Sequence, residues 1–98
     1  MPKFIKKPIA IEAFQWPFFR NNSPHFNSDF KSLPEWFREA GNVHFITNID
    51  GVICPMIENP EGDITVSPGN WIVKGVQDEI YSIRNEIFIA TYNEVKDA

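Results

Sequence analysis

Short segments of alternating hydrophobic and polar residues, separated by turn-forming residues, make up most of this chain and predict β-strands. The first strand is predicted within residues 4–16, whereas residues 17–31 have no clear period and are interpreted as a loop, with a short helical turn as an open alternative. From residue 43 onward the alternating pattern recurs at close spacing. The strands predicted there cover residues 43–49, 52–57, 63–67, 71–74, 80–84 and 89–95.

One helix is predicted at residues 33–40, where apolar residues recur with helical spacing. Its apolar face consists of Leu33, Trp36, Phe37 and Ala40. Ser32 and Glu35 fit a capping box at its start, in which each side chain bonds a backbone N–H of the other residue. A single further helical turn, capped by Asn85, is predicted at residues 85–88.

The pair Asp50-Gly51 lies between two predicted strands and is typical of a two-residue type I′ hairpin turn. In the register of such a turn Thr47 opposes Cys54. Pro55 has no N–H for a ladder hydrogen bond, so the second strand of the hairpin is predicted to lie at the edge of its sheet.

A corner is predicted at Ser67-Pro68-Gly69-Asn70, directly before a strand that Trp71 begins. Proline presets φ at the second turn position and glycine accepts the positive φ of the third, as a type II turn requires. The corner leaves open whether Trp71 faces the core or a pocket.

Together these elements predict a single α+β domain over residues 1–98. It has a small, strongly curved antiparallel sheet or a partly open β-barrel, with one short helix at residues 33–40. Nine phenylalanines and three tryptophans, within a composition that is 43% hydrophobic, are enough for a compact core. This composition excludes a disordered chain.

The net charge of -4 opposes nonspecific binding to nucleic acid, so a nucleic-acid partner is not expected. No apolar run approaches the roughly 20 residues of a membrane span, and no apolar signal-peptide region follows the first charged residues. The single cysteine forms no internal disulfide. We therefore expect a cytoplasmic protein without a membrane partner.

The candidate catalytic groups are few. His44 and Cys54 are the one pairing that could activate a thiolate, but in the predicted hairpin register they point to opposite faces. Cys54 is therefore interpreted as a small core residue. The spacings typical of zinc ligands, EF-hand loops and phosphate-binding glycine loops are missing from the sequence. We expect a protein that is not an enzyme, with no catalytic residue, metal or cofactor.

Aromatic residues cluster near the start of the chain, beside lysines. These residues are Phe14, Trp16, Phe18 and Phe19, with Lys3, Lys6 and Lys7. Cations next to exposed rings are typical of sites that stack a nucleotide base, whereas buried rings would fill a core or an interface; all three readings stay open. For a pocket, Gln15 would supply a polar contact and Arg20 an anion contact. The candidate ligand-binding residues are Gln15, Trp16, Arg20, Trp71 and Lys74.

Four segments of the chain form a specific string of motifs. They are residues 6–16 (KKPIAIEAFQW), 33–36 (LPEW), 67–76 (SPGNWIVKGV) and 87–92 (IFIATY). In this order they resemble a family of small phage and prophage proteins of uncharacterised function. The resemblance implies a phage or prophage origin and carries no activity with it. Asn70 stands where the family usually has an acid, so no acid-dependent role is implied there.

Small phage proteins of this kind often act by stoichiometric binding. The resemblance therefore favours a non-catalytic accessory protein that binds a host protein or a small ligand. One alternative is an anti-defence sponge that sequesters a nucleotide or cyclic-nucleotide signal between Trp16, Trp71 and nearby lysines. Another is a structural or docking module that pairs an edge strand near Pro8 or Pro55 with another chain. A homodimer through exposed aromatic rings also stays open.

Overall fold

The elements of the fold come from a computed structural model of the chain, which describes residues 1–5, 7–20 and 26–95. The strands are β1 (Glu12–Gln15), β2 (Phe19–Arg20), β3 (Val43–Thr47), β4 (Val52–Ile57), β5 (Ile64–Thr65), β6 (Trp71–Lys74) and β7 (Ile80–Ile83). The helices within the described residues are α1 (Phe26–Lys31), α2 (Glu35–Arg38) and α3 (Asn85–Thr91). None of these helices is long and apolar enough to cross a bilayer.

The strands form two antiparallel sheets. One has three strands in the order β1-β6-β7, and the other has the order β2-β4-β3 with β5 also paired to β4. The prediction of an antiparallel α+β domain is confirmed in this form. The prediction of one curved sheet or a partly open barrel is corrected to two sheets that are not closed barrels. The prediction of a single helix is corrected to three helices in the described ranges.

One hydrophobic core joins the two sheets and helix α2. Its buried members include Trp16, Phe19, Phe37, Ile53, Ile57 and Ile72. Ile72 belongs to β6 in the first sheet and Ile53 to β4 in the second, while Phe37 comes from α2. The core therefore holds the two sheets together.

The early aromatic cluster is mostly part of this core. Trp16 and Phe19 are buried, Phe14 packs against the core, and Phe18 is exposed. The rings around Trp16, with centroids 5.1 to 6.4 Å from its own, are those of Phe14, Phe19, Phe37 and Phe45. The Trp16 indole N–H donates to the Ile53 carbonyl at 3.0 Å. Trp16 is thus at the centre of the core.

The Pro68-Gly69 corner is the predicted type II turn. The Asn70 N–H donates to the Ser67 carbonyl at 3.1 Å, and Gly69 has a φ of 92°. The corner also closes on the residue after β1. The Gly69 N–H donates to the Trp16 carbonyl at 2.9 Å, and the Trp16 N–H donates to the Asn70 carbonyl at 2.8 Å. The turn therefore positions the backbone of the central tryptophan.

We expect Gly69→Ala to lower the free energy of unfolding by about 1–2 kcal/mol, because an alanine is strained in the left-handed region. No atom lies within 4 Å of the position of the added Cβ, so the cost comes from the backbone alone. Gly41→Ala is the matched control, since Gly41 has the same open space without a left-handed φ. Urea denaturation would show a lower midpoint for Gly69→Ala only; equal midpoints would contradict the role of the turn.

The hairpin between β3 and β4 has a three-residue loop, residues 49–51, and not the predicted two-residue turn. The Asn48 side-chain oxygen accepts hydrogen bonds from the backbone N–H groups of Asp50 at 2.9 Å and Val52 at 3.0 Å. Gly51 takes a φ of 77° at the end of the loop. A left-handed glycine in this place is typical of three-residue hairpin loops. The side chain of Asn48 therefore stabilises the longer loop.

The longer loop shifts the register by one residue and changes which side chains share a face. Ile46, not Thr47, opposes Cys54, so His44 lies on the same face as Cys54, contrary to the prediction. His44 Nδ1 is 3.5 Å from Glu58 Oε1. Burial raises the pKa of the Cys54 thiol, which favours the unreactive neutral form. Cys54 is buried, as the sequence predicts, although the geometric reason is different.

Strand β4 lies in the centre of its sheet, although Pro55 predicts an edge position. β3 runs along one side of β4, while β2 and β5 share the other side, next to residues 52–53 and 56–57. Pro55 falls between these two short partners, and its carbonyl accepts from the Val66 N–H at 2.9 Å on that side. The proline nitrogen points to this same side, opposite Val66, so the missing N–H costs one bond just beyond the end of β5 and leaves the pairing with β3 intact.

Helix α2 occupies part of the predicted helix at residues 33–40, but its predicted capping box does not form. The Ser32 hydroxyl donates to the Asp29 carbonyl, and Pro34 occupies the N-cap position without a side-chain hydrogen bond. Helix α1 lies in the segment interpreted as a loop, where a short helical turn is the open alternative. These local helices depend on packing beneath them, since helices this short are not stable alone.

Helix α3 replaces the strand predicted at residues 89–95. The predicted turn at residues 85–88 is its first part, but Arg84 occupies the N-cap position, with no side-chain cap. The helix places Phe88 so that its ring stacks on Trp71, with 4.0 Å between centroids. Burial of this ring favours the helical spacing over the alternating pattern that follows Phe88 in the sequence.

Candidate binding groove

A groove of about 1140 Å³ is lined by Trp71 and Tyr81, on the sheet face opposite Ile72, and also by Trp36, which packs against the edge of the core. It runs between residues 7–13 on one side and α3 with the residues after it on the other. Its aromatic lining consists of Trp36, Trp71, Tyr81, Phe88 and Tyr92. Successive residues of a strand point to opposite faces, so Ile72 enters the core while Trp71 enters the groove.

Three of the lining rings form a stack along the groove. The Trp71 and Phe88 rings are nearly parallel, at 9°, with centroids 4.0 Å apart. Tyr92 continues the stack, with its centroid 5.0 Å from that of Phe88. Phe88 and Tyr92 are four residues apart, so α3 and its C-cap residue bring them to the same side. The stack presents flat aromatic surface to whatever enters the groove.

The side-chain oxygen of Asn85 holds this stack to the sheet. Asn85 Oδ1 accepts from the Trp71 indole N–H at 2.9 Å and from Gln15 Nε2 at 3.4 Å. Gln15 Nε2 also donates to the Gly69 carbonyl at 2.8 Å. The backbone N–H of Asn85 donates to Asn70 Oδ1 at 3.2 Å. This network joins β1, the type II corner, β6 and α3, and of its side chains Trp71 lines the groove.

Tyr81 contributes a hydroxyl that stays neutral. Burial raises its pKa most, followed by the nearby charge of Tyr92 and a side-chain hydrogen bond with it, and then by Glu79. At neutral pH the groove therefore contains a protonated phenol that can donate or accept a hydrogen bond.

The charged residues of the groove are mostly acidic. Glu12, Glu79 and Glu94 line it, against one lysine, Lys7. Glu12 Oε2 lies 3.6 Å from Lys74 Nζ, and the Glu79 carboxylate accepts from the Gln77 N–H at 2.9 Å. Glu94 is exposed. Lys74 compensates the charge of Glu12, so Glu79 and Glu94 are the glutamates that favour a cation over an anion in the groove.

The five candidate ligand residues do not all come together. Gln15 and Trp71 are register partners in β1 and β6, and both bond Asn85. Trp16 is buried in the core. Lys74 points to the sheet face opposite Trp71, where its Nζ lies 3.6 Å from carboxylate oxygens of Glu12 and Asp78.

Arg20 lies in the other sheet, outside the groove. Its guanidinium carbon is 5.0 Å from the centroid of the Phe18 ring, and its Nη1 donates to the Asp50 carbonyl at 3.1 Å. Of the lysines near the start of the chain, Lys7 lines the groove, and Lys6 is outside the described residues.

Several groove residues were not identified as candidates from the sequence. They are Trp36, Tyr81, Phe88 and Tyr92, with Asn85 holding Trp71 by a hydrogen bond from outside the lining. A strand predicted at residues 89–95 would place Phe88 and Tyr92 on a ladder and not beside Trp71. Their spacing of four residues is helical and is the one sequence signal that points to a shared face.

A second hollow, of about 520 Å³, lies at the turn after β4 and contains acidic side chains. Asp63 Oδ1 accepts from the Asn59 N–H at 3.4 Å, and Asn59 Oδ1 accepts from the Glu61 N–H at 3.0 Å. These side chains stabilise the turn. Throughout the described part of the chain, no three His, Cys, Asp or Glu side chains come together as metal ligands.

Comparisons with protein-family models, with curated proteins and with solved structures each find no match. The fold and the groove by themselves define the class of this protein, a two-sheet α+β domain with an aromatic, acidic groove.

Proposed function

We propose that this chain is a small, non-catalytic accessory protein of phage or prophage origin that acts by stoichiometric binding in the cytoplasm of a bacterial host. The groove supports a binding role, because it combines a stack of aromatic rings with an excess of glutamates. The ligand that fits this chemistry best is a positively charged, apolar segment of a host protein.

The aromatic rings favour a cation. The faces of aromatic rings attract lysine and arginine side chains by about 0.5–2 kcal/mol per contact. The Trp71 ring stacks on Phe88 and lines the groove, where it offers aromatic surface to a cation. Glu79 and Glu94 add negative charge to the groove. The methylene stem of a lysine can pack on a ring while its ammonium group remains near a carboxylate.

Nucleotide sequestration remains the alternative, because the same flat rings could stack a base. The charge of the groove argues against it, since phosphate groups would lie near Glu79 and Glu94. Two residues proposed for such a pocket are also elsewhere: Trp16 is in the core and Lys74 is on the other face of the sheet. A cationic ligand avoids both difficulties.

The docking alternative loses one of its two edge strands. Pro55 belongs to a central strand, so it offers no edge for another chain. Pro8 lies before β1 and lines the groove. Docking near Pro8 would therefore use the same groove that we propose for the cationic segment.

We expect a blocked lysine–leucine–lysine–phenylalanine peptide to bind the full chain at one site, with a Kd of roughly 100 µM. The corresponding peptide with glutamates in place of lysines should bind at least about tenfold more weakly, because the groove glutamates repel it. Isothermal titration calorimetry measures both affinities and the stoichiometry.

Two charge reversals provide the control. Glu94→Lys changes the groove, whereas Glu61→Lys makes the same change in net charge at an exposed turn outside it. Only Glu94→Lys should weaken the lysine peptide. Equal affinities for the two peptides, or no binding of either, would overturn the proposal. Tighter binding of adenosine monophosphate or a cyclic dinucleotide would favour sequestration instead.

A further inference from the structure

The first five residues of the chain, here called the arm, are almost entirely exposed. Phe4 is 91% and Ile5 is 93% exposed, and the arm has no regular secondary structure. Adjacent large apolar side chains left in water are unusual on a soluble monomer and are typical of an interaction surface. The arm therefore has apolar surface that its own domain does not cover.

The arm also has the chemistry that suits the groove. The arm contains one lysine, Lys3, and no acidic residue, and Phe4 and Ile5 follow Lys3 directly. The groove offers aromatic rings and two glutamates, Glu79 and Glu94, beside the Glu12 that pairs with Lys74. The arm and the groove are thus complementary in charge and in apolar character.

The geometry at residue 8 favours the groove of another molecule. The Ile9 N–H donates to the Lys7 carbonyl at 2.8 Å, which forms a tight turn around Pro8. Residues 7–13 are themselves one wall of the groove. The arm would have to reverse over its own wall to enter its own groove, and proline further restricts Lys7 to extended conformations.

We propose that the arm of one copy binds in the groove of a second copy, so that two copies exchange arms in a symmetric dimer. The inference rests on the proposed function, because the arm is one case of the basic, apolar segment that the groove would hold. Each arm begins beside a groove, so a single two-fold axis can place both arms in both grooves. Extended, five residues reach about 17 Å, enough to lie along the aromatic stack.

Sedimentation velocity over a range of concentrations tests the dimer with the full chain. We expect wild type to dimerise reversibly and Phe4→Asp/Ile5→Asp to raise the dimer Kd at least about tenfold. The matched control is Phe18→Asp/Ile49→Asp, which adds the same charge at two exposed apolar residues outside arm and groove. A monomeric wild type at about 1 mM, or equal effects of the two double variants, would overturn the arm exchange.

Mixing two variants gives a sharper test. The arm variant Phe4→Asp/Ile5→Asp keeps an intact groove, and Glu94→Lys keeps an intact arm. A dimer of either variant alone has no pairing of an intact arm with an intact groove. A mixed dimer has one such pairing, so mixing the two variants should restore part of the association. No gain on mixing would contradict reciprocal exchange.

The peptide titration separates this inference from the proposed function. If the arm occupies the groove, the arm variant should bind the lysine–leucine–lysine–phenylalanine peptide more tightly than wild type does. Peptide binding by a wild type that is monomeric would overturn the dimer alone. If wild type is monomeric and the arm variant still binds the peptide more tightly than wild type does, the arm lies in its own groove instead. Failure of the peptide to bind any variant would overturn the proposed function.

Discussion

Trp16→Ala is expected to lower the free energy of unfolding by about 3–5 kcal/mol. The side chain is 1% exposed, and its removal leaves a cavity between Phe19 and Phe37. The Ile53 carbonyl, which accepts the indole N–H at 3.0 Å, also loses its buried partner. A domain of this size has about 5–15 kcal/mol of stability in total. The variant should therefore lose at least about a fifth of its stability.

Urea denaturation followed by far-UV circular dichroism measures this loss. Trp71→Ala is the matched control, since it removes the same side chain from a half-buried position at the groove. We expect it to cost about 1–2 kcal/mol, because it loses packing on Phe88 and the bond to Asn85 but opens no closed cavity. Equal costs for the two variants would show that Trp16 is not the centre of the core.

Asn85→Ala is expected to cost about 1–3 kcal/mol and to loosen α3 from the sheet. Two donors, the Trp71 indole N–H and the Gln15 amide, lose their shared acceptor. The Trp71 ring then keeps its stacking on Phe88 but loses the hydrogen bond that fixes its orientation. In this variant the affinity of the groove for the lysine peptide should also fall, because the aromatic stack is no longer held in one arrangement.

Hydrogen exchange of the α3 amides, measured beside the peptide titration, tests this role of Asn85. Asn85→Asp keeps an oxygen where Asn85 Oδ1 accepts both bonds, so it should retain most of the protection and most of the binding. Asn85→Ala should lose both. Unchanged protection in Asn85→Ala would mean that stacking alone holds the helix, and the network would then be incidental.

The positions of the strands could be predicted because alternation is a local property of the sequence. The predicted segments 43–49, 52–57 and 71–74 contain β3, β4 and β6. The type II corner was predictable for a similar reason, since proline and glycine restrict φ at their own positions. Neither result needed information about distant residues.

The register and the groove could not be predicted in this way. One side-chain acceptor, Asn48 Oδ1, favours a three-residue loop over the two-residue turn typical of Asp50-Gly51. Helix α3 forms where an alternating pattern predicts a strand, because Phe88 packs on Trp71. Of the five candidate ligand residues, Gln15 and Trp71 lie together because both bond Asn85. In the sequence, Asn85 is 70 residues from Gln15 and 14 residues from Trp71.

The sequence by itself determined the strand-rich character of the domain, the type II corner before Trp71 and the supply of aromatic residues. Only the tertiary structure decided which tryptophan fills the core and which lines the groove. Trp16 and Trp71 have the same side chain and both adjoin the corner. They differ because alternate positions of a sheet face opposite ways, and only one of those faces is covered by the second sheet.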